Sequence, residues 1–268
     1  MSSTDFKDQI GRKIRLKGIP KRIVSLVPSQ TELLADLGLD EEVTGITRFC
    51  IHPEGWLKRK IIVGGTKDYK TTRIRELAPD LIIANKEENT AATLEELMEE
   101  FPVWVSDIST LEEALEMILT VGEMTGKTEK AAELTSDIRS GFQSLEREVA
   151  PGAGAKRAAY YIWKDPWLAA GSDTFIQDML RRCGLLPVPS LSRYPELPPE
   201  ELAELRPDFV LLSSEPYPFR YKHRMIFEGI VPAERILLTD GEYFSWYGSR
   251  LVHAPAYFRT LMTKLEDL

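Results

Sequence analysis

The sequence predicts an α/β protein built as two duplicated lobes with central, mostly parallel sheets, joined by one long α-helix. Three observations lead there. Residues 76–87, ELAPDLIIANKE, recur as 204–215, ELRPDFVLLSSE, at a constant offset of 128. Two more echoes follow in the same chain order: SQTELLADLGL (29–39) with SDTFIQDMLRRCGL (172–185), and VWVSD (103–107) with ILLTD (236–240). Between the copies, Ala131, Leu134, Ile138, Phe142 and Leu145 recur at three- and four-residue steps, the signature of an amphipathic helix.

Each element has a local reason. The short apolar runs IVSLV, LIIA and FVLL lack polar alternation, as expected of strands buried on both faces of a parallel sheet. Strands alternating with helices imply right-handed crossovers. At 28–32, PSQTE sets Ser29 three residues before Glu32, a capping-box spacing behind a proline. Both helical echoes close at Gly-Leu, a glycine stop. The connecting segment 126–150 reads as a helix of about 23 residues, roughly 35 Å long, ending at the turn-rich APGAGAK. The expected division is therefore an N-terminal lobe at 1–125, a bridging helix at 126–150 and a C-terminal lobe at 151–268. A helical bridge implies little hinge closure.

Composition narrows the function. The chain has 268 residues and a formal charge of -8, so the basic face of a nucleic-acid binder is not expected. Two cysteines, Cys50 and Cys183, give neither a disulfide framework nor a CxxC metal pair. No apolar run approaches the roughly 20 residues of a membrane span. The start has isolated Ile10, Ile14 and Leu16 but no continuous apolar stretch, so as written it reads as no secretory signal. The expectation is a periplasmic or cell-envelope protein if a leader was removed, and a cytoplasmic one as the sequence is written.

In open α/β sheets, ligands sit beyond the carboxyl ends of the strands. Ser29 and Ser172 fall at such ends, although capping alone accounts for a serine there. The loops that follow the strands carry Phe49, His52, Trp56, Thr66, Tyr69, Asn85, Lys86 and Glu87 in the first lobe. In the second they carry Trp163, Trp167, Arg193, Tyr194, Glu215 and Tyr217, then Tyr243, Phe244, Trp246 and Tyr247. Aromatics beside Gly, Ser and Pro suit a large, flat, partly polar ligand.

Other motifs fail. GEMTGKT (122–128) is one residue short of a Walker A loop and follows a helical pattern. His52, His223 and His253 stand in no HExxH, and no GxSxG occurs. Cys50 or His52 as a reactive group is the enzymatic reading. No residue set demands chemistry, so binding is favoured over catalysis.

KRIVSLVPSQTELLADLGL, VGGTKDY, IRELAPDLIIA, the long helix and LAELRPDFVLL together resemble the periplasmic-binding-protein family of ABC importers whose lobes are bridged by a single helix. The likeness runs from about Lys21 to the end. The family takes cobalamin, haem and iron–siderophore complexes, and the resemblance is nearest to its cobalamin-binding branch. It implies no enzyme, no resident cofactor or metal, a monomer, and a cobalamin or related corrinoid held between the lobes. Ser29 and Gln30 would lie at the cleft, Tyr69 on one side, and Trp163, Ser172 and Tyr243 on the other. Phe49, His52, Thr66, Tyr194 and Trp246 complete the expected ligand-binding set. Haem, with His52 or a tyrosine as axial ligand, or a ferric siderophore, for which only Arg48, Arg193 and Arg250 are plausible partners, is the alternative. A cytoplasmic corrinoid or tetrapyrrole carrier or sensor on the same scaffold is another.

The resemblance also implies an ABC permease as partner, met by a surface carboxylate on each lobe. The second lobe offers Glu200. The position 128 residues earlier is Thr72, flanked by Lys70 and Arg73, unless Asp68 or Glu76 substitutes.

Overall fold

The apolar runs of the sequence become strands closed on both faces. In the computed structural model, which describes residues 3–149 and 155–268, the chain divides into two units. The first takes the residues up to Ile108, then Glu112–Ser136 and Tyr247–Arg250. The second takes Ser109–Leu111, Asp137–Trp246 and Leu251–Leu268.

The first unit opens with an antiparallel ribbon, β1 (Thr4–Lys7) and β2 (Lys13–Leu16). Asp8 closes its turn by accepting the Arg12 backbone N–H at 2.6 Å, and Ile14 and Leu16 are buried. Then β3 (Ile23–Ser25), α1 (Pro28–Asp36), β4 (Val43–Thr47), α2 (Trp56–Arg59), β5 (Ile61–Gly64), α3 (Thr71–Leu77), β6 (Leu81–Asn85), α4 (Ala91–Met98) and β7 (Val103–Ser106) alternate along the chain. Two longer helices follow, α5 (Leu111–Met124) and α6 (Thr128–Glu148). The sheet order is β5-β4-β3-β6-β7, all parallel. The chain steps outward from β3 to β5, then returns to the other side of β3. This reversal, between β3 and β6, is where open α/β sheets leave a crevice at their carboxyl ends. Val24, Leu26, Val63, Ile82, Leu97 and Val105 form the core, each such burial stabilising by about 1.5–3 kcal/mol.

The second unit contains β8 (Arg157–Trp163), β9 (Leu168–Ala169), α7 (Phe175–Arg182), β10 (Leu186–Val188), α8 (Pro199–Leu202), β11 (Phe209–Ser213), β12 (Ile236–Thr239), α9 (Glu242–Ser245) and α10 (Ala254–Glu266). Its parallel order is β10-β8-β11-β12, with β9 antiparallel to β8. The reversal recurs between β8 and β11. Tyr161, Leu202, Val210, Leu212 and Phe227 anchor its core.

The strongest sequence echo is a structural clamp. The residue before each Pro-Asp pair, Ala78 or Arg206, takes a left-handed conformation, with φ of 44° and 45°. The aspartate then seizes the start of the central strand. Asp80 accepts from the backbone N–H groups of Lys21 and Arg22, and its own N–H donates to the Arg22 carbonyl at 2.9 Å. Asp208 accepts from the Arg157 N–H at 2.7 Å, and its N–H donates to the Arg157 carbonyl at 2.8 Å. The two arginines complete the lock: Arg22 donates to the Ala78 carbonyl and Arg157 to the Leu205 carbonyl. The motif thus sets β6 beside β3 and β11 beside β8 at their amino ends.

The Gly-Leu stops form as the sequence predicts. Gly38 and Gly184 have φ of 82° and 71°. Leu39 N–H donates to the Leu34 carbonyl, and Leu185 N–H to the Leu180 carbonyl, the six-to-one bond of a Schellman motif. The apolar stripe of the connecting segment becomes α6, 21 residues long, with Ala131, Ile138, Phe142 and Leu145 buried. The division between the units falls inside α6, between Ser136 and Asp137. Most of the expected APGAGAK turn, at 150–154, lies outside the described residues. GEMTGKT joins α5 to α6, and no strand leads into it. Among the described residues, no helix is long and apolar enough to cross a membrane.

Candidate functional site

At the carboxyl end of β3 the chain turns at once into α1, but the capping box expected there does not form. Val27 is the N-cap, in extended conformation, and Pro28 already occupies the first helical turn. Proline suits that position because its fixed φ is helical and its missing N–H is no loss. Ser29 therefore sits one residue inside the helix, too far along to cap. Glu32 does not reach back. It accepts two hydrogen bonds from the Arg250 guanidinium, at 2.6 and 3.0 Å. Burial raises the Glu32 carboxyl above its ordinary range, while Arg250 opposes that rise.

Ser29 and Gln30 are both buried, and among the described residues neither Ser29 Oγ nor Gln30 Oε1 has a hydrogen-bond partner. Gln30 Nε2 donates to Ser106 Oγ at 2.6 Å, and Asn85 Nδ2 donates to the same hydroxyl at 3.0 Å. Asn89 Oδ1 accepts the Asn85 N–H at 2.8 Å, and its amide donates to the Leu26 and Thr66 carbonyls. Gln30, Asn85, Asn89 and Ser106 thus form a buried polar network across the ends of β3, β6 and β7. The sequence flags Gln30 and Asn85, but nothing local marks Asn89 or Ser106, since the partners come together only in the sheet.

The other expected residues of the first unit separate. Phe49 is 50% exposed, with the Arg48 guanidinium 5.2 Å from its ring. Arg48 is in turn paired with Asp68 at 2.8 Å. His52 is half-buried, close enough to Glu32 to act on its titration. Thr66 is half-buried and gives its carbonyl to Asn89. Tyr69 packs in the core beside Val63 and Ile82, only 6% exposed, and its hydroxyl accepts from Thr93 Oγ1 at 2.8 Å. It is a core wall in this structure, not an open ring. Trp56 is likewise buried, under the Lys60 ammonium. One distant segment joins this unit: Tyr247 Oη donates to Glu88 Oε1 at 2.8 Å, beside the Arg250–Glu32 pair.

In the second unit Trp163 ends β8, 39% exposed, edge-on to Tyr217 at 5.9 Å. Trp167 packs into the core, stacked on Phe219 and edge-on to Phe227. Ser172 is not a cap. Its backbone bridges to the Leu191–Arg193 segment, its hydroxyl donates to Asp173, and Thr174 caps α7 by accepting the Gln177 N–H. Tyr194 is half-buried, 5.9 Å from the Arg193 guanidinium. Tyr243 lies on α9, half-buried, one face stacked on Tyr257 at 4.5 Å and 15°. Trp246 is buried, and its indole N–H donates to Glu215 at 2.7 Å. Glu200 is exposed in the first turn of α8. A cavity of about 240 Å³ lies at the opposite, amino-terminal edge of the second sheet, lined by Leu185, Phe209, Arg235 and Met262.

The enzymatic reading loses its nucleophile. The Cys50 thiol is enclosed between Thr31 and Thr47, and burial pushes its pKa up, so no reactive thiolate is available. Among the described residues, no three His, Cys, Asp or Glu side chains gather as metal ligands do.

Two α/β units, each built on a parallel sheet whose strand order reverses at its centre, make a two-lobed scaffold. The chain belongs to the periplasmic binding protein family, whose profile matches residues 23–224, a family of binders and not of enzymes. A cobalamin-binding protein of Halobacterium salinarum is 26% identical over 210 residues, which cover 76% of this chain; the chain spans 57% of that relative's length. The periplasmic vitamin B12 binding protein BtuF of Vibrio cholerae has the same fold, with a TM-score of 0.79 at 19% identity over 93% of this chain and 99% of its own. So does the periplasmic heme-binding protein RhuT of Roseiflexus sp. RS-1, with a TM-score of 0.79 at 19% identity over 92% of this chain and 98% of its own.

Proposed function

We propose that this chain is the solute-binding component of an ABC importer, and that its ligand is cobalamin or a related corrinoid. The observation that carries the reading is the set of aromatic rings left accessible at the carboxyl ends of the strands, Phe49 in the first unit and Trp163 and Tyr243 in the second. Flat ligands with polar edges are held by such ring faces and edges. The corrinoid is favoured over haem by what has happened to the possible axial donors. Tyr69 is closed into the core and hydrogen-bonded. His223 is buried, with Nδ1 accepting the Arg220 N–H at 2.9 Å. The cobalt of a corrinoid needs no ligand from the protein. The name of the halobacterial relative points the same way. Haem remains the second reading, favoured by the half-buried His52 and by the shared fold of the heme-binding RhuT. The partner on either reading is an ABC permease.

Absorbance titration of the purified chain with cobalamin, cobinamide and haem tests this. Saturable spectral change with the two corrinoids is the expected result. Tight haem binding with a shifted Soret band, and no response to either corrinoid, would replace the reading with the second one.

A further inference from the structure

Glu215 stands two residues beyond β11, at the same place in its copy of the repeat as Glu87. Its Oε1 accepts from Ser245 Oγ at 2.6 Å and from Trp246 Nε1 at 2.7 Å. Both donors come from the end of α9 and the residue after it, so one carboxylate oxygen gathers the helix terminus. The start of α9 is held against the same loop. The Gly241 N–H donates to Ser214 Oγ at 2.9 Å. A Cβ at Gly241 would lie 2.7 Å from Glu215 Cγ and 2.3 Å from Ser213 Oγ, so only glycine allows this approach. Tyr243 rides on the helix between these two attachments, with Tyr257 behind one face.

The surroundings do not favour a charge. The titratable groups facing Glu215 are Glu242 of α9, Asp240 of the preceding turn and Tyr160 of β8. Burial first, then Glu242 and Asp240, raise its carboxyl above the ordinary range, against the pull of Ser245 and Trp246. The folded chain therefore takes up this proton before the unfolded chain does. As pH falls through the raised value, this group makes folding more favourable, so the ionised form held at higher pH costs stability. Perturbed carboxylates of this kind cluster where they serve a ligand.

We propose that Glu215 is a positioning residue for the ligand, fixing α9 through Ser245 and Trp246 so that Tyr243 is held as a preset stacking ring. This rests on the reading of Tyr243 as a ligand contact. Charge-assisted bonds to a carboxylate are stronger than bonds to a neutral acid. Protonation of Glu215 relieves the cost of burying the charge but weakens these two bonds, and with them the hold on Tyr243 and the binding of the ligand.

Two measurements test it. In the first, corrinoid affinity is followed against pH for the wild type, Glu215→Gln and Glu215→Ala. The wild type is expected to weaken on acidification. Glu215→Ala loses about 10-fold or more at neutral pH. Glu215→Gln, which keeps an acceptor oxygen, retains more affinity than the alanine variant and loses the pH dependence. In the second, tryptophan emission is titrated against pH with no ligand present. A transition in the wild type that vanishes in both Glu215→Gln and Trp246→Phe supports the contact. If none of the corrinoids binds the wild type, the ligand assignment fails, and the emission titration still decides whether Glu215 holds Trp246. Unchanged affinity in a folded Glu215→Ala, or a wild-type emission profile flat in pH, overturns the proposal. If Glu215→Ala does not fold, a Glu215→Gln affinity that still follows the wild-type pH profile overturns it equally.

Discussion

Arg250 reaches Glu32 across 218 residues of chain with a two-pronged hydrogen bond, and both side chains are largely enclosed. Removing one partner of such a pair leaves the other charge enclosed and uncompensated, which costs more than the pair itself contributes. Arg250→Ala is therefore expected to destabilise the chain by about 2–4 kcal/mol at neutral pH. The sign with pH follows from burial. The Glu32 carboxyl already titrates above its ordinary range and rises further without Arg250. Once it is protonated no bare charge remains, so the deficit shrinks as the pH falls through that titration. Chemical denaturation of wild type and variant at several pH values checks this. A deficit that stays constant with pH would show that the loss comes from packing alone.

At the scale of elements, the two Pro-Asp segments share a clamp and differ at the helices that precede them. α8 begins with Glu200 and Glu201 in its first turn and no basic residue. α3 begins with Thr71 and Thr72 and carries no acid there. Thr72 is exposed beside Arg73, whose guanidinium donates to the Ile62 carbonyl. Of the two acids nearest it in sequence, Asp68 is already paired with Arg48. Exposed ion pairs contribute up to about 1 kcal/mol each, yet they steer an encounter and fix its register. Glu200→Lys is therefore expected to abolish capture of a detergent-solubilised permease partner. Thr72→Glu should leave capture intact or strengthen it. Equal loss from both substitutions would show that the two units do not divide this task.

For the whole molecule, the expected stoichiometry on the proposed corrinoid reading is one ligand per chain. Trp163→Ala should weaken that binding by roughly 1–3 kcal/mol for an accessible ring stacked on the ligand. Calorimetry should report a stoichiometry near one for the wild type and the variant. A stoichiometry of two, or wild-type affinity in a folded Trp163→Ala, would refute it. The sequence alone determined much of this architecture. The repeat announced two parallel sheets because strands closed on both faces must be written as unbroken apolar runs. The glycine stops were legible because glycine acts on the backbone within a few residues, whereas the Pro-Asp echo was legible only as a repeat, since its clamp reaches strand starts 58 and 51 residues away. The helix start at Pro28 was misread by two residues because serine fits a cap and an interior turn equally, and only the position of the proline ring decides. Tyr69 could not be separated from Phe49 in the sequence, since both are aromatics in loops. What placed one in the core and left the other accessible is the packing of α4 and β5, which brings Thr93 to the Tyr69 hydroxyl. The Gln30–Ser106–Asn85–Asn89 network, the Arg250–Glu32 pair and the convergence of Ser245 and Trp246 on Glu215 were decided only by tertiary structure. Apart from Asn85 and Asn89, their partners lie 21 to 218 residues apart, and local sequence constrains side-chain neighbours only over the few residues of a turn.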